Sequence, residues 1–207
     1  EGGFGLVKLT PAHLDVLQRL LPPERVAGST SAFVIGGEAL SGEQLAFWRR
    51  HAPGLRLINE YGPTETVVGC SVYEVPESMP PVGPVSIGRP IANTRILILD
   101  PGLSPVPVGV SGELFLGGAG ICRGYLHRPW LTAEKLVPDP FGSPGERLYR
   151  TGDLVRYLAG GVLEVQLDPG SHSIVVQLQA ARGIELSYTS SAISVSRPLV
   201  NVTSSVT

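Results

Sequence analysis

The stretch richest in reactive side chains is NEYGPTE, residues 59–65, which follows an apolar Leu-Ile pair. It combines an amide, a phenol, a hydroxyl and two carboxylates. These groups can donate and accept hydrogen bonds and stack on a flat ligand, and a carboxylate is a hard oxygen ligand. Such a density of polar groups beside apolar residues is typical of the end of a buried strand that delivers side chains into a cleft.

The segments before this stretch alternate between helix and strand signals. Thr10 and Pro11 form a helix start, an N-cap followed by proline at the first helical position. Ser41 and Gln44 have the spacing of a capping box. The predicted elements are an apolar segment at 6–9, a helix from Pro11 to about 21, a strand at 32–36, a helix to about His51 and a strand at 55–58. This alternation predicts a mostly parallel sheet, in which ligands gather at the carboxyl ends of strands.

From about Pro76 the chain changes to short apolar runs separated by Pro and Gly, which predicts a small sheet or barrel. After Val165 it changes again, because the last 42 residues hold nine Ser and four charged side chains. We expect that tail to be disordered and β-prone. The predicted divisions are an αβ part at 1–75, a β-rich part at 76–165 and a tail at 166–207. Within the β-rich part we expect one helical turn at 132–136 and strands at 95–99, 113–116, 147–157 and 162–165.

Composition argues against several classes of function. A net charge of -2 gives no electrostatic reason to expect binding to nucleic acid or to an anionic membrane. No apolar run approaches the ~20 residues of a membrane span, and the N-terminus lacks signal-peptide features. Cys70 and Cys122 lie far apart, without metal or redox spacing. We therefore expect a cytoplasmic chain with reduced thiols, and the absence of an initiator Met suggests a fragment of a longer protein.

Four stretches resemble, in order and spacing, the motifs of the amino-acid adenylation domains of nonribosomal peptide synthetases. They are NEYGPTE, IGRPIANTRILILD, GELFLGGAGICRGYLHRPWLTAEKL and YRTGDLVR, and the resemblance covers about residues 1–165. Members of this family use ATP and Mg²⁺ to convert an amino acid to an aminoacyl adenylate, which passes to a carrier-protein thiol. The resemblance implies an α/β fold, part of the large adenylate-forming subdomain, with an αβ layer and a small β-barrel-like region before the diverged tail.

The same resemblance implies roles in nucleotide binding and catalysis. For the nucleoside, Asn59 would bind the edge of the adenine, Tyr61 would stack on the adenine ring and Asp153 would accept hydrogen bonds from the ribose hydroxyls. Gly37 would allow close approach of the nucleotide. Thr64 would donate to the α-phosphate and Glu65 would bind Mg²⁺, and these two residues are the implied catalytic residues. Taken singly, other interpretations fit these residues. Asn59 could be a turn former, Tyr61 a core aromatic and Glu65 an acid in the first turn of a helix.

The residues that line the family's substrate pocket resemble those of asparagine-activating members. They are Lys8, Val34, Gly36, Glu60, Val68 and Gly69. A carboxamide can accept from the Lys8 ammonium and donate to the Glu60 carboxylate, and the small glycines would leave room for it. Aspartate ranks second, because its charge against Glu60 costs about 1 kcal/mol or more. The alternative is a surface Lys8 and a Glu60 that faces solvent.

Several family features are not found in these residues. There is no Ser/Thr/Gly-rich phosphate loop with its lysine, and QLDPGSHSIVV stands where the family has a Leu-Gly-Arg-x-Asp hinge. We therefore expect negligible adenylation activity from the chain alone. The alternative function is a non-catalytic, degenerate nucleotide-binding or interaction module. A third candidate, the acyl-CoA ligase branch, would not be expected to carry the Lys8 and Glu60 set.

Overall fold

The computed structural model describes residues 3–165 as a mixed α/β fold with two sheets, which confirms the predicted fold class. The predicted tail at 166–207 lies outside the described residues. None of the helices between residues 3 and 165 has the length and apolar character needed to cross a bilayer.

The first sheet has five strands, and its first three are parallel, as the alternation of helix and strand signals predicts. In order across the sheet these are β1 (Val7–Leu9), β2 (Ala32–Gly36), β3 (Arg56–Tyr61), β4 (Ser71–Glu74) and β5 (Arg89–Pro90), the last two being antiparallel to their neighbours. The connecting helices are α1 (Pro11–Leu20) and α2 (Gly42–His51). Both begin where the caps predict: the Thr10 hydroxyl accepts from the His13 amide at 3.4 Å, and Gln44 Oε1 accepts from the Ser41 amide at 3.2 Å.

One face of this sheet packs against the two helices. Phe33 and Ile35 of β2 point to that face and are buried with Leu14 of α1 and Trp48 of α2. The Trp48 ring lies edge-on to Phe33, with centroids 4.9 Å apart. Because side chains alternate along a strand, the residues between these apolar positions point to the other face of the sheet.

The second sheet is antiparallel and carries its own apolar core. Its strands are β6 (Thr94–Leu99), β7 (Gly112–Gly118), β9 (Arg147–Tyr157) and β10 (Leu163–Val165) in the order β10-β9-β7-β6, with β8 (Leu136–Pro138) paired to β9. A short helix, α3 (Pro129–Lys135), precedes β8. Ile96, Leu114, Leu116 and Val155 are buried together in this core.

Three local predictions need correction. Strand β3 continues to Tyr61, beyond the predicted end at residue 58, because the polar residues 59–61 still pair with neighbouring strands. Helix α3 starts at Pro129, where proline is tolerated because the first turn does not use its missing N–H, whereas the predicted turn was 132–136. Strands β4, β5 and β8 were not predicted, since they are short and are held by their partners rather than by their own pattern.

The two sheets meet at residues 87–88. The Ile87 amide donates to the Leu163 carbonyl and the Leu163 amide donates to the Gly88 carbonyl, both at 2.9 Å. Gly88 has a φ of +81°, and a Cβ there would overlap the Val72 carbonyl oxygen of β4. Only glycine therefore lets the backbone pass between β4 and β10.

We expect Gly88→Ala to destabilise the fold by about 2 kcal/mol more than Gly83→Ala, as measured by urea unfolding. Gly83 is the matched control because its φ of +90° is equally unfavourable for alanine, but open space surrounds its Cβ position. The difference between the variants therefore isolates the close approach to β4. Equal losses of stability would show that the two sheets do not depend on contact at this residue.

Candidate active site

Tyr61 and Asp153 form a side-chain hydrogen bond between the two sheets. Tyr61 is the last residue of β3 and Asp153 lies in β9, and the Tyr61 hydroxyl donates to Asp153 Oδ2. The Asp153 amide donates to the Thr151 hydroxyl at 3.0 Å, which in turn donates to the Leu114 carbonyl at 2.8 Å. Burial, reinforced by the Asp153 charge, raises the pKa of the Tyr61 phenol, so it remains protonated and able to donate at neutral pH.

Asn59 lies on the same face of β3 as Tyr61 but is buried. Its side-chain Nδ2 donates to the Ser86 carbonyl at 2.9 Å and to the Val85 carbonyl at 3.4 Å. The interpretation of Asn59 as a turn former is wrong, because the residue lies inside a strand. The Tyr61 ring packs against the apolar core of the second sheet, so it also fits the alternative interpretation as a core aromatic.

Thr64 and Glu65 lie beyond β3, on a short 3₁₀ turn at Thr64–Thr66. Thr64 is exposed, whereas Glu65 is half-buried. Glu65 Oε1 accepts a hydrogen bond from the Tyr125 hydroxyl at 2.5 Å, and the Glu65 carbonyl accepts from the Cys122 amide at 2.8 Å. The carboxylate is therefore held by a loop that comes from the end of the second sheet's β7. As an acid in the first turn of a 3₁₀ helix, Glu65 also fits its alternative interpretation.

Lys8, Val34, Gly36 and Glu60 share the face of the first sheet that points away from the helices. The strand register pairs Lys8 with Val34 and Gly36 with Glu60, and the Lys8 ammonium reaches Glu60 Oε2 at 2.5 Å. The Glu60 side chain is only 15% exposed and that of Lys8 is 52% exposed. The alternative in which Glu60 faces solvent is therefore wrong, although Lys8 does lie largely at the surface.

The glycines beside Glu60 make room for that side chain. A Cβ at Gly69 would overlap Glu60 Oε1, and one at Gly36 would lie 2.7 Å from the Glu60 carbonyl oxygen. The expectation that these glycines leave room for a substrate needs this correction, because the Glu60 carboxylate occupies the space at Gly69. Val67 and Val68, with φ of 63° and 67°, turn the chain back so that Gly69 reaches Glu60. Such values are rare for β-branched residues.

The structure thus sorts the predicted residues into two groups that separate at β3. Glu60 points to the face shared with Lys8, whereas Asn59 and Tyr61 point to the opposite face. Gly37 lies just beyond the carboxyl end of β2, with a φ of +87°, and Val68 is exposed in the turn after Glu65. Gly36, Glu60 and Tyr61 therefore lie at the carboxyl ends of β2 and β3, while Lys8 and Val34 lie in the middle of β1 and β2.

The contact from Tyr125 to Glu65 was not foreseen from the sequence. Tyr125 belongs to one of the stretches that resemble the family, but no spacing in the sequence relates it to a residue 60 positions earlier. The Asn59 contact with Ser86 was missed for the same reason, since a backbone carbonyl leaves no mark on the sequence.

Comparisons with known proteins identify the family to which the chain is similar. The family model described as "AMP-binding enzyme" matches residues 3–126. The chain is 51% identical over 144 residues to a linear gramicidin synthase protein of Brevibacillus parabrevis, covering 69% of this chain and 2% of that protein. It is 42% identical over 161 residues to bacitracin synthase 3 of Bacillus licheniformis, covering 77% of this chain and 2% of that protein. The chain therefore spans about 2% of the length of these two relatives.

Solved structures show the same relationship. PA1221, an NRPS protein containing adenylation and PCP domains, superposes with a TM-score of 0.73 at 27% identity, covering 83% of this chain and 34% of that one. The nonribosomal peptide synthetase FmoA3 in its AMPPNP-bound form gives a TM-score of 0.71 at 31% identity, covering 78% and 18%. With a family model that matches more than half of its residues, the chain belongs to the AMP-binding enzyme family, among the adenylation domains of nonribosomal peptide synthetases.

Proposed function

We propose that the chain binds ATP and an amino acid at the ends of β2 and β3, and that its residues serve the formation of an aminoacyl adenylate. The observation that carries this proposal is the contact of Tyr61 with Asp153, residues of different sheets that meet beside the strand ends. An aromatic ring next to a carboxylate suits an adenosine, because the ring can stack on the base while the carboxylate accepts from the ribose hydroxyls. The AMPPNP-bound relative supports a nucleotide as the ligand.

The remaining nucleotide contacts follow from the atoms that each side chain has available. The Asn59 amide nitrogen already donates to backbone carbonyls, so its Oδ1 is the atom that would accept from the adenine amino group. The exposed Thr64 hydroxyl can donate to an α-phosphate oxygen. Gly37, with its positive φ, would let the nucleotide approach the backbone at the end of β2.

In the proposed reaction, an oxygen of the amino acid's carboxylate attacks the α-phosphorus of ATP. The new acyl–phosphate bond forms as the bond to pyrophosphate breaks. Both reactants are anionic, and a bound Mg²⁺ would offset their repulsion. Glu65 fits such an ion, because Mg²⁺ prefers one or two carboxylates together with nucleotide phosphates. Thr64 and Glu65 would thus orient the phosphate end of ATP beyond the strand.

We infer that the amino acid is asparagine, with aspartate second. Lys8 and Glu60 form a close ion pair on the face of the first sheet that points away from the helices, and a carboxamide can accept from Lys8 and donate to Glu60. Val34 shares that face and would form an apolar wall, while Val68 and Gly69 would close the pocket. Glu60 would repel the carboxylate of an aspartate side chain.

The adenylate would then pass to a carrier protein, in keeping with the PCP domain of PA1221. We also propose a cytoplasmic location for the chain.

Asp153→Asn tests the nucleotide site. We expect the affinity for AMP, measured by isothermal titration calorimetry, to fall at least about tenfold, since a neutral amide is a weaker acceptor for two ribose hydroxyls. Glu74→Gln is the control, because it removes a carboxylate of β4 that is exposed and paired with Arg56. An unchanged affinity in the Asp153 variant would contradict the proposal.

Glu60→Gln tests the identity of the substrate. Non-hydrolysable analogues of asparaginyl and aspartyl adenylate would be compared, and we expect the preference for the asparaginyl form to shrink about fivefold as the repelling charge is lost. Glu113→Gln is a matched control, because the two glutamates have similar exposure and each forms an ion pair. Glu113 is 20% exposed and lies 2.8 Å from Arg150, and Glu60 is 15% exposed and lies 2.5 Å from Lys8. A chain that prefers neither analogue would rule out asparagine as the favoured substrate.

A further inference from the structure

Glu65 is held at two points by the loop that connects β7 to α3, residues 119–128. The Cys122 amide donates to the Glu65 carbonyl at 2.8 Å, which fixes the backbone. The Tyr125 hydroxyl donates to Glu65 Oε1 at 2.5 Å, which fixes the side chain. A hydrogen bond to an ionised carboxylate is stronger than one between neutral groups, so this contact can select a single orientation of a flexible glutamate.

The loop is itself anchored, so Tyr125 is a fixed point rather than a mobile partner. The Arg147 guanidinium of β9 donates to the carbonyls of Arg123 at 3.1 Å and Cys122 at 3.3 Å. The Tyr125 amide donates to the Thr132 hydroxyl of α3 at 2.9 Å. The phenol is therefore positioned by β9 of the second sheet and by α3. The Glu65 carboxylate that it binds lies just after β3 of the first sheet.

A glutamate on a short turn would otherwise sample several side-chain orientations, and ordering it at the moment of ligand binding costs free energy. A partner that orders the carboxylate beforehand removes that cost from binding. One carboxylate oxygen is engaged by the phenol, which sets how the carboxylate is presented to a ligand. This is the arrangement expected around a group that must meet a cation and a phosphate in a fixed geometry.

We propose that Tyr125 is a positioning residue, which orients the Glu65 carboxylate toward the divalent cation of a bound nucleotide. This inference rests on the proposed function, because it takes Glu65 to be the residue that meets the cation. Tyr125 itself binds neither the metal nor the substrate. Its contribution lies in the part of nucleotide affinity that depends on the metal.

The test compares the affinity for AMPPNP in the presence of Mg²⁺ with the affinity in EDTA, measured on the full chain by calorimetry. For Tyr125→Phe we expect the gain in affinity that Mg²⁺ provides to fall about tenfold, while the affinity in EDTA stays unchanged. Glu65→Gln should lose a similar part of the gain. The double variant should lose little more than Glu65→Gln alone, because the two residues act as one unit.

Tyr157→Phe is the matched control, since it removes a phenol of β9 that donates to the Ile96 carbonyl at 3.2 Å. It should leave both affinities unchanged. A Tyr125→Phe chain that keeps the full Mg²⁺ gain, or that loses affinity equally in EDTA, would overturn the positioning role while leaving the proposed function intact. If the unaltered chain itself gains no affinity from Mg²⁺, the assignment of Glu65 fails and the inference falls with it.

Discussion

The close passage of the backbone at Gly88 between β4 and β10 is the constraint on which the arrangement of the candidate site depends. The two sheets have separate cores, and Tyr61 can meet Asp153 only if the end of β3 is held against β9. Residues 87–88 do this through paired hydrogen bonds to Leu163 on one side and contact with Val72 on the other. A side chain at residue 88 would push the sheets apart, and the two halves of the proposed nucleotide site, Tyr61 and Asp153, would separate with them.

The buried side chain of Asn59 links the candidate site to the segment that leads to Gly88. Asn59 is an amide inside a strand, and an unpaired amide would be costly there. It is satisfied by the carbonyls of Val85 and Ser86, in the segment that leads to Gly88. The same side chain proposed to contact adenine therefore also helps to fix the connection between the sheets. Under the proposed function, Asn59 would therefore serve both the fold and the ligand.

The alternation of side chains along β3 explains how one short stretch could serve the two proposed ligands. Glu60 points to the face that carries Lys8, while Tyr61 points to the face that carries the helices and, at the end of the strand, contacts Asp153 of the second sheet. Beyond the strand, the 3₁₀ turn takes Glu65 to the loop that carries Tyr125. An amino acid and a nucleotide that bind on the two sides of the strand end would meet just beyond it, near Thr64 and Glu65.

The sequence by itself determined the local elements. The caps at Thr10 and Ser41 and the alternation of helix and strand predict α1, α2 and the parallel strands, because these signals act between residues that are close in the chain. The motif around residues 59–65 likewise predicts where polar groups gather. Only the tertiary structure decided that β3 reaches Tyr61, that Glu60 fills the space beside Gly69, and that Tyr125 holds Glu65. These contacts join residues that pairing and packing bring together across long sequence separations, so no local pattern can encode them.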